Sequence, residues 1–234
     1  MLHDIDLSVE PGELVAILGP SGAGKSSLLR IVAGLVQPTR GLVQVDDEVV
    51  SGPRADVVFA FQDPCLLPWL TVERNVAFGL KFARQPRLSR LTRQSRETNA
   101  LREVGLEHVR TWSPSQLSGG MAQRVALARC LAREPRSILL DEPFGALDEV
   151  TRGEMQQLLV KVVRHTGSTA ILVTHDIDEA LLVADRILLL GNDGTMVNQW
   201  NVDVPEPRAT QIQALGELRI QILRALHSSM FRAA

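Results

Sequence analysis

Gly19-Pro20-Ser21-Gly22-Ala23-Gly24-Lys25-Ser26 is a glycine-spaced run closed by a lysine and a hydroxyl residue, the pattern of a loop that cradles phosphate. Its glycines let the backbone curl so that successive N–H groups converge on phosphate oxygens. A helix starting near Lys25 adds its positive end. Lys25 would neutralise the β and γ phosphates, and the Ser26 hydroxyl would hold Mg²⁺. The loop alone leaves many nucleotide-using activities open, so the discriminating residues must lie elsewhere in the chain.

Ile138-Leu139-Leu140 reads as an apolar strand that delivers Asp141 and Glu142 at its end, where open α/β sheets place ligands. Asp141 would bind Mg²⁺, and Glu142 would orient and deprotonate an attacking water. Paired acids at a strand end can also form a helix-capping turn; the phosphate loop upstream favours the catalytic reading. Ala170–Val173 ends likewise in Thr174-His175-Asp176, and His175 at that edge could donate to a γ-phosphate and sense it. Leu117-Ser118-Gly119-Gly120-Met121 opens a helix with a serine at the N-cap. Such a start can bind an anion, or be an ordinary capped helix.

These residues need strands that end together. Short apolar runs alternate with longer helical patterns, which predicts an α/β fold with a mostly parallel sheet. Strands are expected at Leu14–Leu18, Leu42–Val45, Val57–Phe61, Ile138–Leu140, Ala170–Val173 and Ile187–Leu190. Helices are expected after Lys25, near Thr71, near Thr98, and at Ser118, Asp148 and Asp176. Six arginines between Arg84 and Arg102 face a single acid, Glu97, a run that reads as a solvated helical face or loop, with an anionic lipid or phosphate contact as the other reading. It breaks the βα rhythm, so a helical insertion is expected at about 71–118, and a packing helix at about 210–227.

The chain has 234 residues, 45% hydrophobic and 22% charged, with a formal net charge of −2. That balance suits one globular α/β domain and supplies no basic footprint for nucleic acid. Cys65 and Cys130 lack the spacing of a metal or redox pair. No signal segment is read at the start and no apolar run approaches a membrane span, so action at a membrane would need a partner.

Taken together, the ordered set resembles the ATP-binding cassette (ABC) family over nearly the whole chain: phosphate loop, Gln62 after a strand, Ser118 signature, Asp141-Glu142, Ala146-Leu147-Asp148 and His175. The resemblance implies a P-loop ATPase core with a small helical subdomain, spanning 1–234, with ATP and Mg²⁺ as ligands. It implies a head-to-tail pair in which Ser118, Gly119 and Gly120 of one copy close over ATP held at Gly19 to Ser27 of the other. Gln62 would touch Mg²⁺ and water, and Asp148 would reach across the pair. Permease subunits, and indirectly a solute-binding protein, would be partners at the cytoplasmic face of the inner membrane.

Phe61-Gln62-Asp63-Pro64-Cys65-Leu66-Leu67-Pro68-Trp69, with Met121 in place of the commoner glutamine, is similar to the importer subgroup for nitrate, taurine and aliphatic sulfonates. Leu66, Leu67 and Trp69 would form an apolar patch where a permease helix docks, with burial of Trp69 in the core of the small lobe as the other reading. Three positions depart from the family. No tyrosine is present to stack on adenine, which leaves His3 or residues upstream; Ser27 replaces threonine; Gly145 stands where serine is common. A soluble non-transport ABC ATPase, an exporter cassette and a nucleotide-binding subunit with little turnover are the alternatives.

Overall fold

The strand that carries the phosphate loop, β1 (Leu14–Leu18), is buried at every position. Its alternate side chains feed two different cores, as the two-residue period of a strand demands. Leu14, Ala16 and Leu18 join one apolar cluster with Ile138, Leu140, Ala170 and Leu172. Val15 and Ile17 join another with Leu139, Ile171 and Val173. A sheet covered on both faces selects continuous apolar strands.

The computed structural model describes residues 2–81 and 87–231; Met1 and Arg84 lie outside them. Beyond β1, the remaining strands are the ribbon pair β2 (Gln44–Val45) and β3 (Glu48–Val49), then β4 (Val57–Ala60), β5 (Ser137–Asp141), β6 (Thr169–Val173), β7 (Arg186–Leu190) and β8 (Met196–Asn201). Among the described residues the main sheet runs β4-β5-β6-β1-β7-β8. Its strands pair in parallel except for β8, which lies antiparallel to β7. Parallel pairing sends β1, β4, β5 and β6 to the same edge, so the segments after them meet there.

One face carries α1 (Lys25–Val32), through Leu28 and Leu29. The other carries α2 (Val72–Ala77), α3 (Arg90–Glu103), α4 (Gly119–Leu131), α5 (Glu149–Thr166), α6 (Ile177–Val183) and α7 (Ile212–Phe231). Thr71, Ser89, Ser118, Asp148 and Asp176 each cap the following helix, their side chains accepting from first-turn N–H groups. Each such cap contributes about 1 kcal/mol.

Four sequence expectations change. The helix expected near Thr98 starts at Arg90, capped by Ser89; its first half buries no residue, so it gave no apolar period to read. The strand expected at Leu42–Val45 is the first arm of a separate ribbon, with Leu42 exposed. Asp46 and Asp47 both take positive φ in its turn, as a tight two-residue hairpin requires. The antiparallel β8 was not expected, because its residues are mostly exposed and mixed in polarity. The C-terminal helix runs on to Phe231 rather than ending near 227.

Candidate active site

The loop between β1 and α1 turns on Gly24, whose φ of 102° is left-handed and whose added Cβ would meet the Leu2 side chain at 2.9 Å. Only glycine takes that conformation without strain. Lys25 follows, buried, its Nζ donating to the carbonyls of Gly19 at 2.7 Å and Pro20 at 3.0 Å. Burial pushes the amine below the usual lysine range, while Glu142 and Asp141 pull it back up. Ser21 and Gly22 are exposed along the same loop, Ala23 within it is buried, and Ser27 is exposed in the first turn of α1. Leu2, packed at Gly24, brings the exposed His3 beside the loop, where its ring meets Asp4.

Ser26 Oγ donates to Asp141 Oδ1 at 2.8 Å, joining α1 to the end of β5. Glu142 comes next with a φ of 47°, a conformation that costs a non-glycine residue on the order of 1 kcal/mol and concentrates at functional sites. Its N–H is held by the Val173 carbonyl at 2.9 Å. Its carboxylate lies 3.3 Å from His175 Nδ1 and 3.5 Å from Gln62 Nε2. Five sequence-predicted residues, Ser26, Gln62, Asp141, Glu142 and His175, therefore sit in one contact chain beside Lys25.

The oxygen-rich donor set fits Mg²⁺, which favours one or two protein oxygens plus substrate phosphates. Among the described residues no group of three or more His, Cys, Asp or Glu forms a metal cage by itself.

Ser118, Gly119 and Gly120 are not brought to this cluster. Ser118 and Gly119 are exposed, and the Ser118 hydroxyl accepts from Met121 N at 3.3 Å. Gly120 is buried because α4 crosses α5 there: a Cβ would meet Thr151 Cγ2 at 2.2 Å. Asp148 is exposed and caps α5, accepting from Thr151 N at 3.1 Å.

Residues that sequence reasoning missed hold the loop after β4. Asn75, fully buried, accepts from Leu67 N at 2.8 Å and donates to the carbonyls of Leu67, Leu70 and Thr71. Arg129 donates to the Cys65 carbonyl and to Asn75 Oδ1. Gln123 donates to the Gln62 carbonyl at 2.7 Å, tying the Ser118 helix to the Gln62 loop. Asn75, an amide among apolar helix neighbours, was the one detectable signal. Trp69 is 75% exposed, which decides against its burial in the small lobe.

A phosphate loop, a strand-end carboxylate pair and a histidine on one edge of a mostly parallel sheet define a P-loop nucleoside triphosphatase. The sequence pattern of the family described as ABC transporter matches residues 2–145. An aliphatic sulfonates import ATP-binding protein, SsuB 1 of Xanthomonas axonopodis pv. citri, is 46% identical over 97% of this chain and 91% of its own. A taurine import ATP-binding protein, TauB of Pseudomonas fluorescens, is 50% identical over 87% of this chain and 76% of its own. Among solved structures, cbiO1 of Clostridium perfringens, part of the transporter complex cbiONQ, superposes with a TM-score of 0.80 at 31% identity, covering 97% of this chain and 90% of that one. The cassette MJ0796, dimeric and bound to ADP and Pi, gives 0.75 at 37% identity, covering 87% and 91%. The chain belongs to the ABC transporter family.

Proposed function

We propose that this chain is the ATP-hydrolysing subunit of an importer for a small sulfonate- or taurine-like solute, paired head-to-tail with a second copy and docked on separate permease subunits. The observation that carries the catalytic part is the strained Glu142 carboxylate, set between His175 and Gln62 at 3.3 and 3.5 Å beside the Ser26–Asp141 pair. Glu142 takes the proton of the attacking water, which Gln62 helps to orient. His175 holds the γ-phosphate by a hydrogen bond, and Lys25 together with the backbone N–H groups of Gly19 to Ser27 holds the phosphate chain. Ser26, Asp141 and Gln62 are the residues that would hold Mg²⁺, which supplies neutralisation of the phosphate charge.

Ser118, Gly119 and Gly120 of the partner copy cover the triphosphate, and Asp148 lies at the same junction. The dimeric MJ0796 cassette supports the pairing, and the exposure of Ser118 and Gly119 leaves them free to take part. The import names of the relatives support the solute class. The permease docks at Trp69 with Leu66 and Leu67, on a loop that Asn75 and Arg129 hold rigid. No helix among the described residues is long and apolar enough to cross a membrane, so a peripheral position at the cytoplasmic face rests on that permease, which a solute-binding protein would supply. Residues 1–234 act as one nucleotide-binding domain, with the helical subdomain at about 71–118.

The test is Glu142→Gln in the purified full chain. It binds ATP and dimerises, while phosphate release falls by about 10²-fold or more, the usual size of a general-base contribution. Near-normal turnover in that variant overturns the assignment.

A further inference from the structure

His175 stands between two neighbours that are both pinned. Thr174 Oγ1, buried, donates to Glu179 Oε2 at 2.6 Å and accepts from Asp176 N at 3.0 Å. Asp176 in turn caps α6, accepting from Asp178 N and Glu179 N. The backbone that aims the imidazole at Glu142 is therefore fixed by a buried carboxylate one helical turn away.

That carboxylate faces across to another element. Glu179 Oε1 lies 3.7 Å from Arg152 Nε, and Arg152 Nη2 donates to the Leu147 carbonyl at 3.1 Å. Arg152 Nη1 also faces Glu149 at 3.6 Å and Asp176 at 3.9 Å. Leu147 is buried, and the next residue is Asp148, the cap of α5. Arg152 thus sits where the turn after Glu142 meets the turn that carries His175, holding one by its carbonyl and the other by its acids. Its Nε is buried and without a hydrogen-bond partner among the described residues. The 3.7 Å gap to Glu179 lies beyond hydrogen-bond range, so a shift of about half an ångström would make that bond.

We propose that Arg152 and Glu179 are positioning residues that couple the His175 turn to the Leu147-Asp148 turn, so that a change at the Asp148 junction is felt at the histidine. The inference rests on the ATPase reading above and adds a route between the phosphate sensor and the junction with the second copy. A guanidinium suits the role because its planar fork engages a carbonyl and a carboxylate together.

Arg152→Ala in the purified full chain is expected to lower kcat for phosphate release about tenfold, the scale on which small misplacements of catalytic groups act. The KM for ATP and the ATP Kd stay within about twofold, because Arg152 touches none of the phosphate-loop residues. Arg152→Lys, which keeps a charge beside Glu179 but loses the fork that also reaches the Leu147 carbonyl, recovers only part of the loss. On a His175→Ala background Arg152→Ala costs nothing further, since residues acting as a unit do not add. Multiplying effects in that double variant, or a kcat loss that only follows a lower Tm, overturns the coupling. Glu142→Gln serves as the control. Its loss of turnover beside an Arg152→Ala variant as active as the parent chain overturns the coupling alone, whereas its normal turnover overturns the ATPase reading and the coupling with it.

Discussion

Two helix starts in this chain are proposed to face phosphate, and they are finished to different degrees. At Lys25 the loop grows from a strand buried at all five positions, the lysine is buried with two carbonyl partners, and Ser26 reaches across to Asp141. At Ser118 the cap and Gly119 are exposed, and the hydroxyl makes one local bond. The first is a site whose walls come from several strands of the same chain. The second is, in the proposed pairing, a face whose complement comes from another chain. A helix end at a sheet edge collects neighbours because parallel strands terminate there, whereas α4 presents its start on the rim of the helical insertion.

The sharpest way to break the comparison is a paired measurement. Lys25→Ala should cut phosphate release by about 10²- to 10³-fold, the usual cost of removing a charge-stabilising donor, and weaken ATP binding by the single chain. Ser118→Arg should cut turnover by about 10²-fold, yet leave single-chain nucleotide affinity unchanged, read by fluorescent-nucleotide titration. Equal loss of affinity in both variants would show that the two starts are not halves contributed by different copies.

A smaller effect tests what supports the finished half. Asp185 accepts from Leu14 N at 2.9 Å, at the foot of β1, and from Arg164 at 3.0 Å. Burial raises its carboxyl, but Arg164 and the Leu14 N–H outweigh this and hold it below the usual aspartate range. A depressed folded value means the stabilisation is full above the unfolded value near 4 and fades as pH falls through the folded one. Asp185→Asn should therefore lose about 1–2 kcal/mol at pH 7, with the gap to the parent chain closing below about pH 4 in urea titrations. A constant gap across that range would remove the charge from the explanation.

The smallest effect concerns the outward-facing loop. Trp69→Ala should change stability by less than about 0.5 kcal/mol, as exposed positions do, while abolishing co-purification with the permease. A drop in stability of several times that size would mean that the indole packs within the chain.

The phosphate loop, the acids after β5 and His175 were readable because each combines a chemically specific residue with the end of an apolar run. Ser89 and the start of α3 were not, since that half of the helix buries nothing and leaves no period. Arg152 and Glu179 were equally silent: an arginine four residues past Asp148 and a glutamate four past His175 look like ordinary helix-surface charges until the two turns are seen to meet.

By itself the sequence determined the kind of chemistry, because phosphate binding needs glycines, a lysine and a hydroxyl in adjacent positions, and adjacency is a property of the chain. Tertiary structure decided which distant side chains share a contact: Ser26 with Asp141, Glu142 with His175, Asn75 with the loop at Leu67, Arg152 with Glu179. Those meetings depend on strand order and helix crossing, which are set by how apolar faces bury against one another and leave no local mark on the residues they bring together.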